Sequence, residues 1–282
     1  MRILVRASAE EDLDSWHRLG WRAAPDFPSL TREHEAFRTA LAAAGAEVIE
    51  ARGQPGNLDS IYVYDPVLIA PDGRAILLLP GKEPRRGEPD ALRPDLEAAG
   101  LTIAGRLAEG ELAEGGDTVW LDDSTLLVGH TYRTNGAGIA ALRRLLPDVD
   151  VRAFPLAHHH GRAEVLHLRS LLNPISPKLA VAYLPLVPVP LVELLEEREM
   201  GLVEVPDEEF ETMGPNVLGL DGGSRALALA GNDETRRRLE AAGVEVLVYD
   251  GDEISRKGDG GPTCLTLPLE DPVAAAPRAP LG

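Results

Sequence analysis

The sequence of 282 residues predicts an α/β fold in which a hairpin–helix–strand unit recurs along the chain. Two observations support this prediction. The first is a set of three similar segments, LAAAGAEVIE, LEAAGLTIAG and LEAAGVEVLV, in which a helix-forming run ends at Gly45, Gly100 or Gly243 and a β-type run follows. Glycine is the preferred residue just past a helix because it adopts positive φ without strain. Each segment therefore indicates a helix, a tight stop and a strand.

The second observation is that paired apolar runs precede such helices. IYVYDPVLIAPDGRAILLL, DTVWLDDSTLLVG and NVLGLDGGSRALALA each carry Asp, Gly or both between two apolar runs. These are turn-forming residues, so each pair predicts a hairpin or two closely spaced strands. The alternative to a true internal repeat is that these segments resemble one another by chance, as segments of any α/β protein can. The complete unit is predicted at 61–105, 118–155 and 217–248, with partial copies at 32–51 and 178–205.

The repeats predict one closed α/β domain over 1–270, followed by an Ala/Pro-rich tail at 271–282. Within the partial copy at 178–205, the helix is expected to begin at or after Pro190. Residues 9–30 are polar, lack a clear period and contain two of the three tryptophans. They predict either a flap over a site or a surface loop packed by its tryptophans.

The net charge of −18 argues against nucleic acid and anionic membranes as partners, since both bind basic patches. It suits a small cationic substrate. The chain has no apolar run near the roughly 20 residues that span a bilayer, and its first residues lack the apolar stretch of a signal peptide. A single cysteine excludes an intrachain disulfide and agrees with a reducing compartment. We therefore expect a soluble cytoplasmic protein, with a homodimer as one option for its oligomeric state.

That cysteine, Cys264, lies in the stretch GDGGPTCLTLPL, residues 258–269. A lone cysteine is often a small buried apolar residue. Three glycines and a proline directly before the thiol favour a different role, because they let the backbone approach a ligand closely. The run LTLPL predicts a short strand. Cys264 is therefore a candidate nucleophile.

Histidines at two places in the sequence are candidate site residues. In VLHLRSLL, the residues Val165, His167 and Arg169 would share one face of a strand, and beside a single cysteine His167 becomes a candidate base instead of a structural histidine. The run HHH at 158–160 resembles a metal site. However, adjacent strand residues alternate faces, and no acid or cysteine lies at ligand spacing. We therefore expect a structural or incidental role for this run.

Acidic residues stand at two predicted strand ends. Glu114 and Asp117 flank two glycines in AEGGDTVW, and Asp65 ends the apolar run SIYVYD before a proline. An acid at such a position is either a turn former or part of a site. Because a carboxylate among apolar residues is costly unless it is paired, these acids favour the binding of a cation.

In chain order the sequence contains DP, EGGD, HLRS and GGPTCLT, together with LPGKEPRRGE at 79–88 and HTYRTNGAG at 130–138. This order, over 59–268, resembles the guanidine-modifying superfamily of amidinotransferases and arginine deiminases, and most closely its dimethylarginine dimethylaminohydrolase branch. The resemblance implies a single-domain, five-fold pseudosymmetric α/β propeller, in agreement with the repeats. It also implies hydrolysis of the guanidine C–N bond of a methylated arginine to citrulline and an amine, with no metal or cofactor.

The resemblance also implies roles for individual residues. The nucleophile matches Cys264, the general acid/base matches His167, and its acidic partner matches Glu114. Asp65 matches the guanidinium-binding carboxylate, and we expect Asp65 and Glu114 to hold the guanidinium by paired hydrogen bonds. Further implied substrate contacts are Asp59 near the α-amino end, the aromatic Tyr62, Asp117, and Arg85 or Arg86 together with Arg133 at the α-carboxylate.

Two positions depart from the family pattern. Arginine deiminases carry an Asp two residues after the site histidine, where this chain has Arg169. Unsubstituted arginine has more N–H donors to satisfy, so the loss of an acid favours a methylated substrate. The family often has an acid directly before the guanidinium-binding Asp, where this chain has Tyr64. Arginine deiminase or citrulline hydrolase activity, an amidinotransferase, a binding module without turnover and a metal-dependent role through 158–160 remain alternatives.

Overall fold

The computed structural model describes residues 1–162 and 164–270, so the predicted tail at 271–282 lies outside the described residues. Within them the strands form five three-stranded sheets. The strands are β1 Arg2–Arg6, β2 Glu47–Ala51, β3 Val67–Ile69, β4 Ala75–Leu77, β5 Ile103–Arg106, β6 Thr118–Asp122, β7 Thr125–His130, β8 Asp150–Pro155, β9 Leu172–Ser176, β10 Leu179–Ala182, β11 Gly201–Glu204, β12 Leu218–Leu220, β13 Arg225–Leu229, β14 Glu245–Tyr249 and β15 Leu267–Pro268. The α-helices are α1 Phe27–Ala43, α2 Glu88–Ala98, α3 Gly136–Leu145, α4 Val189–Glu197, α5 Asp207–Phe210 and α6 Asp233–Ala241.

All five sheets share one connection pattern. A first strand pairs antiparallel with a second, and a helix then leads to a third strand that pairs parallel with the second. The helix is needed because a parallel partner can be reached only by a crossover. We call the five copies unit 1 (β15, β1, α1, β2), unit 2 (β3, β4, α2, β5), unit 3 (β6, β7, α3, β8), unit 4 (β9, β10, α4, β11) and unit 5 (β12, β13, α6, β14).

Unit 1 is assembled from both ends of the described chain. Its first strand, β15, pairs antiparallel with β1, and Leu4 lies opposite Leu267. The sequence predicts a strand after Cys264 but does not show that it pairs with the N-terminal strand. The observed strand is also shorter than the run LTLPL, because only Leu267 and Pro268 are in the ladder.

Five apolar cores join the sheets into a circle. The buried residues of each core come from two units, in the combinations 1 with 2, 2 with 3, 3 with 4, 4 with 5, and 5 with 1. Strand alternation accounts for this arrangement, because successive side chains of a strand point to opposite faces. In β6, for example, Val119 and Leu121 face unit 4, whereas Trp120 faces unit 2. The predicted α/β fold with five repeats is therefore confirmed.

Two local predictions differ from the structure. The partial copy at 178–205 is a complete unit, because β9 at Leu172–Ser176 supplies the missing first strand. Helix α4 begins at Val189, one residue before Pro190, which occupies a first-turn position where its missing N–H costs nothing. No helix among residues 1–162 and 164–270 is long and apolar enough to cross a lipid bilayer. The assignment of 1–270 to a single domain stays a prediction.

Two glycines at the start of α3 provide a test of the packing between α3 and the preceding loop. A Cβ at Gly138 would lie 1.9 Å from the carbonyl oxygen of Leu112, whereas a Cβ at Gly136 would have no heavy atom within 4 Å. We expect Gly138→Ala to lower the free energy of unfolding by about 1–3 kcal/mol, because the backbone must move. The matched control Gly136→Ala should leave it unchanged or raise it by up to about 1 kcal/mol. Urea unfolding measures both, and equal midpoints for the two variants would contradict the packing.

Candidate active site

Loops from all five units line one cavity of about 260 Å³. Each unit contributes a residue that lies shortly before its first strand. These residues are Asp65 before β3, Gly116 before β6, His167 before β9, Asn216 before β12 and Cys264 before β15. Because each unit uses the loop before its first strand, equivalent loops converge on one space. The fold thereby brings together three of the residues that the sequence singles out.

Cys264 lies in a turn on the cavity wall. Its backbone N–H donates to the carbonyl of Gly261 at 3.0 Å, and its side chain is half-buried. Burial and the nearby carboxylate of Asp65 raise the pKa of the Cys264 thiol to about 11. Both effects disfavour the negatively charged thiolate. At neutral pH the thiol of the free protein is therefore uncharged.

The glycines before Cys264 are required by packing within the protein. A Cβ at Gly258 would lie 2.0 Å from the hydroxyl of Tyr62, and one at Gly260 would lie 2.2 Å from its ring. A Cβ at Gly261 would lie 2.4 Å from Oδ1 of Asn216. The sequence interpretation of these glycines was a close approach to a ligand, whereas the structure shows a close approach to side chains of the cavity wall.

Asn216 is a site residue that the sequence reasoning missed. Its Oδ1 accepts hydrogen bonds from the N–H and the hydroxyl of Thr263, at 3.0 and 2.9 Å. Its Nδ2 lies 3.8 Å from Sγ of Cys264. Asn216 thereby holds the turn that carries the thiol. The internal repeat could have identified this loop as part of the site, because MGPNVLGL at 213–220 matches GGPTCLTL at 260–267.

His167 is on the cavity wall, but not on a strand as its alternating neighbours predict. It immediately precedes the 3-10 turn Leu168–Ser170, and β9 begins only at Leu172. The N–H of Leu168 donates to Oδ1 of Asp117 at 3.2 Å, and this hydrogen bond holds the turn in place. Alternation alone does not distinguish a strand from a loop whose apolar residues pack inward.

Two carboxylates determine the charge of His167. Burial lowers its pKa, but the carboxylates of Asp117 and Glu114 outweigh burial and raise the pKa of His167 to about 9. Nε2 of the imidazole lies 2.9 Å from Oε2 of Glu114. Burial in turn raises the pKa of Asp117 to about 6. At neutral pH, His167 is therefore an imidazolium that can give a proton to a departing group.

Glu114 is fully buried and has partners on both carboxylate oxygens. Besides His167, Nη1 of Arg133 contacts both oxygens at 3.1 and 3.2 Å, and the N–H of Lys82 donates to Oε1 at 3.0 Å. Burial would raise the pKa of Glu114, but the positive charges of Arg133 and His167 hold it well below its ordinary value. Neither Glu114 nor Asp117 is among the described residues that line the cavity. The contact with His167 agrees with the predicted pairing of Glu114 and the histidine, and a direct contact of Glu114 or Asp117 with a substrate stays a prediction.

Asp65 does line the cavity, and both of its oxygens are oriented by the protein. The N–H of Gly116 donates to Oδ1 at 2.8 Å, and Nη1 of Arg85 donates to Oδ2 at 2.5 Å. A Cβ at Gly116 would lie 3.1 Å from Asp65 and 3.0 Å from the ring of His167, so these two side chains flank one glycine. Asp65 and His167 thus lie close together, and Cys264 lines the same cavity.

The predicted arginine contacts divide into three cases. Arg85 is 3% exposed and is bound by Asp65, by both oxygens of Glu88 and by backbone carbonyls, so it orients Asp65 within the wall. Arg86 is not among the described residues that line the cavity. Arg133 does line it, with Nη1 on Glu114. Arg85 also lines the cavity, and a contact of any of the three with a substrate carboxylate stays a prediction.

Asp59 and Tyr62 line another part of the wall. The indole N–H of Trp21 donates to Oδ1 of Asp59 at 2.7 Å, and Nζ of Lys82 donates to Oδ2 at 2.6 Å. Trp21 stacks on Tyr62 with a centroid distance of 5.8 Å. Lys82 also lines the cavity, and sequence reasoning missed it. A contact of Asp59 with a substrate's amino end stays a prediction.

Residues 9–30 are packed in place. Glu10–Ser15 forms a 3-10 turn, and α1 already begins at Phe27 because Asp26 caps it by accepting from the N–H of Ser29 at 3.1 Å. Trp21 is 4% exposed and belongs to the core between units 5 and 1. Of the two sequence alternatives, the loop packed by its tryptophans describes this segment better than a flap.

The two departures from the family pattern form one interacting pair. The guanidinium carbon of Arg169 lies 4.4 Å from the ring centroid of Tyr64, and Nη2 donates to the Tyr64 hydroxyl at 2.5 Å. Nε and Nη1 of Arg169 donate to the carbonyl of Thr118 and to Oδ1 of Asn173. A cation stacked on an aromatic ring thus occupies the two positions at which the family resemblance implies acids.

The five-unit fold and this cavity define an enzyme of the guanidine-modifying superfamily, in which amidinotransferases and arginine deiminases are grouped. Within it, the chain belongs to the N,N-dimethylarginine dimethylhydrolase family, because the model described as "N,N dimethylarginine dimethylhydrolase, eukaryotic" matches residues 29–270.

Individual relatives agree with this assignment. The N(G),N(G)-dimethylarginine dimethylaminohydrolase of Pseudomonas aeruginosa is 27% identical over 248 residues, which cover 86% of this chain and 89% of that protein. A solved structure of the Pseudomonas aeruginosa enzyme, a Cys-to-Ser variant complexed with citrulline, has a TM-score of 0.77 at 25% identity and covers 94% of this chain and 98% of that one. The arginine deiminase of Mycobacterium marinum is 31% identical over 193 residues, but the match spans only 56% of this chain and 47% of that protein.

The charge of His167 predicts a pH dependence of stability. A histidine whose pKa is raised on folding stabilises the fold fully below its unfolded pKa of about 6.5, and this contribution is lost as the pH rises through the folded value. With a folded pKa of about 9, the free energy of unfolding should fall between pH 6.5 and 9, by on the order of 3 kcal/mol at most. His167→Asn should abolish this decline, and the control His17→Asn, at an exposed histidine, should not. A parallel decline in all three proteins would contradict the assignment.

The reactivity of Cys264 tests its link to Asp65. Because Cys264 is the only cysteine, total alkylation by iodoacetamide reports on it alone. We expect slow alkylation at pH 8, since the raised pKa leaves little thiolate. Asp65→Asn should speed the reaction by removing a charge that disfavours the thiolate. The control Glu164→Gln removes one charge from an exposed residue of the cavity lining and should have little effect, so equal rates in both variants would count against the coupling.

Proposed function

We propose that this protein hydrolyses the guanidine C–N bond of a methylated arginine, to give citrulline and a methylamine, through a covalent intermediate on Cys264. The observation that carries the proposal is the convergence of Cys264, His167 and Asp65 on one cavity, with Glu114 holding the imidazole at 2.9 Å. Membership of the family supports the same reaction. The relative from Pseudomonas aeruginosa is named for it, and its variant structure holds citrulline.

Binding would rely on acidic side chains for the guanidinium and a basic side chain for the carboxylate of the substrate. Asp65 would accept N–H groups of the guanidinium, because its carboxylate faces the cavity and is held by Gly116 and Arg85. Arg133 would hold the α-carboxylate of the amino acid. Two acids of the lining, Glu164 and Asp259, would favour the approach of a cation.

Substrate binding would activate the nucleophile. The free protein holds an uncharged thiol beside an imidazolium, so His167 is not available to take the thiol proton at neutral pH. A guanidinium placed between the sulfur and Asp65 offsets the carboxylate and favours the thiolate. The thiol proton then leaves to solvent. The enzyme would thus form its reactive thiolate only when the cation is present.

The chemical steps follow from that charge state. The thiolate attacks the guanidinium carbon and forms a tetrahedral adduct. His167 gives its proton to the departing dimethylamine as the C–N bond breaks, which leaves an S-alkylthiouronium on Cys264. The now neutral His167 takes a proton from water, whose oxygen attacks the same carbon. The C–S bond breaks and restores the thiolate, and the hydroxyl of the adduct loses its proton to solvent as it becomes the carbonyl of citrulline.

The pair of Arg169 and Tyr64 favours an alkylated substrate. Unsubstituted arginine carries five guanidinium N–H donors, and methylation removes donors that acids would otherwise satisfy. A cation stacked on an aromatic ring offers no acceptor to such donors except the phenol oxygen, which already accepts from Arg169. The site is therefore better matched to a guanidine with fewer donors. The single reactive cysteine also fits a reducing compartment, so we propose a cytoplasmic location.

Arginine deimination is the second candidate function, since relatives with that name match part of the chain. An assay of released amine or ammonia from asymmetric dimethylarginine, arginine, citrulline and agmatine separates the candidates. We expect dimethylamine from dimethylarginine, and a higher kcat/KM for it than for arginine. Ammonia from arginine at the higher kcat/KM would instead favour deimination.

Replacement of the thiol tests the nucleophile directly. Cys264→Ser should lower kcat by roughly a thousandfold or more, because an unactivated hydroxyl is a far weaker nucleophile, and should leave the fold intact. Rapid quenching and mass spectrometry of the wild-type protein should detect the thiouronium adduct on Cys264. As a matched control, Ser170→Ala removes a hydroxyl from a residue lining the same cavity and should retain most of the activity. Substantial turnover by Cys264→Ser would refute the mechanism.

A further inference from the structure

Three side chains of the cavity lining take no part in the proposed chemistry. His159, His160 and Glu211 line the cavity, and their ligand atoms all lie within 4.8 Å of one another. Oε1 of Glu211 lies 3.9 Å from Nε2 of His159 and 3.8 Å from Nε2 of His160. Ligand atoms of a tetrahedral zinc site with bonds of about 2.0–2.1 Å are about 3.3 Å apart. Small side-chain adjustments therefore suffice to bring the three ligands to coordinating distance.

The backbone places two consecutive histidines on the same side. In an extended strand His159 and His160 would point to opposite faces. Instead, His159 has a left-handed backbone with φ of 46°, a conformation that residues with a side chain rarely adopt. The imidazole centroids consequently lie 3.9 Å apart. The alternation argument that limits the HHH run in sequence analysis does not hold in this turn.

The acidic partner comes from a distant part of the chain. Glu211 directly follows α5, whose last residue, Phe210, packs edge-on against His159 with a centroid distance of 5.8 Å. Phe210 also stacks on Tyr183 at 4.1 Å, which fixes its position. Ligand spacing in the sequence could not show this acid, because it reaches the histidines only through the packing of units 4 and 5.

We propose that His159, His160 and Glu211 bind one divalent ion of the zinc type on the cavity wall, with water completing the coordination. Two imidazoles and one carboxylate suit Zn²⁺, Co²⁺ or Ni²⁺, whereas Mg²⁺ and Ca²⁺ prefer oxygen ligands. The ion would add two positive charges to the lining of the cavity that also contains Cys264, and these charges repel other cations. Its occupancy therefore slows the access of cations to the thiol. This inference does not depend on the reaction proposed above.

A Co²⁺ titration tests the site, since Co²⁺ has visible absorption bands where Zn²⁺ has none. The Cys264→Ser protein is used so that the thiol cannot bind the ion. We expect one saturable equivalent, and competition by Zn²⁺ but not by Mg²⁺. Glu211→Gln and His160→Ala should each weaken binding at least tenfold. The control His158→Ala should not, because the ring of His158 is engaged by the hydroxyl of Tyr132 at 2.6 Å. Absence of saturable binding, or equal affinity in Glu211→Gln, would overturn the proposal.

A second measurement tests the consequence without relying on turnover. The rate at which a cationic thiol reagent modifies Cys264 is measured in the wild-type sequence, with and without Zn²⁺. Zn²⁺ should slow the modification several-fold, and Glu211→Gln should remove this protection while His158→Ala retains it. If Zn²⁺ protects the Glu211→Gln protein equally well, the ion binds at Cys264 itself, and the proposal is wrong.

Discussion

The contact between the buried carboxylate of Glu114 and the imidazole of His167 sets the charge state on which the rest of the site depends. An ionised acid with no solvent exposure is stable only if it is fully paired, and Glu114 has His167, Arg133 and a backbone N–H as partners. The charge of Asp117 together with this contact raises the pKa of His167 to about 9, so His167 is protonated at neutral pH. Its protonation leaves the thiol of Cys264 without a base in the free protein. Under the proposed mechanism, activation would therefore come from the bound cation itself.

The repeated architecture explains how these groups come to lie together. Each unit presents the loop before its first strand to one cavity, so five loops can each supply one function. One carries the thiol, one the imidazole, one the guanidinium carboxylate, one a backbone donor and one the amide that holds the thiol turn. The loops approach closely because glycines at 258, 260 and 261 leave room for Tyr62 and Asn216. Close packing in the wall, and not an open surface, gives the site its precision.

The charge of the whole chain and the charge of the cavity have different origins. The net charge of −18 is spread over the molecule, whereas the cavity lining holds Lys82, Arg133 and Arg169 as well as acids. Net charge thus indicates the sign of a partner only coarsely. Specificity depends on where each charge is paired: Lys82 with Asp59, and Arg169 with the ring of Tyr64. The lining also contains His159, His160 and Glu211, which have no role in the proposed chemistry.

The sequence by itself determined the repeating α/β unit and the residues that carry chemistry, because turn glycines, apolar periodicity and a single cysteine are local signals. It did not determine that β15 closes unit 1, since strand pairing joins distant segments. It placed His167 on a strand, because alternation of apolar residues does not distinguish a strand from a loop whose apolar residues pack inward. Only the tertiary structure decided that Arg85 orients Asp65, that Asn216 holds the thiol turn, and that Glu211 meets the histidines. The first of these contacts joins two loops of unit 2, and the other two join loops of different units. Local sequence does not show which distant segments come into contact.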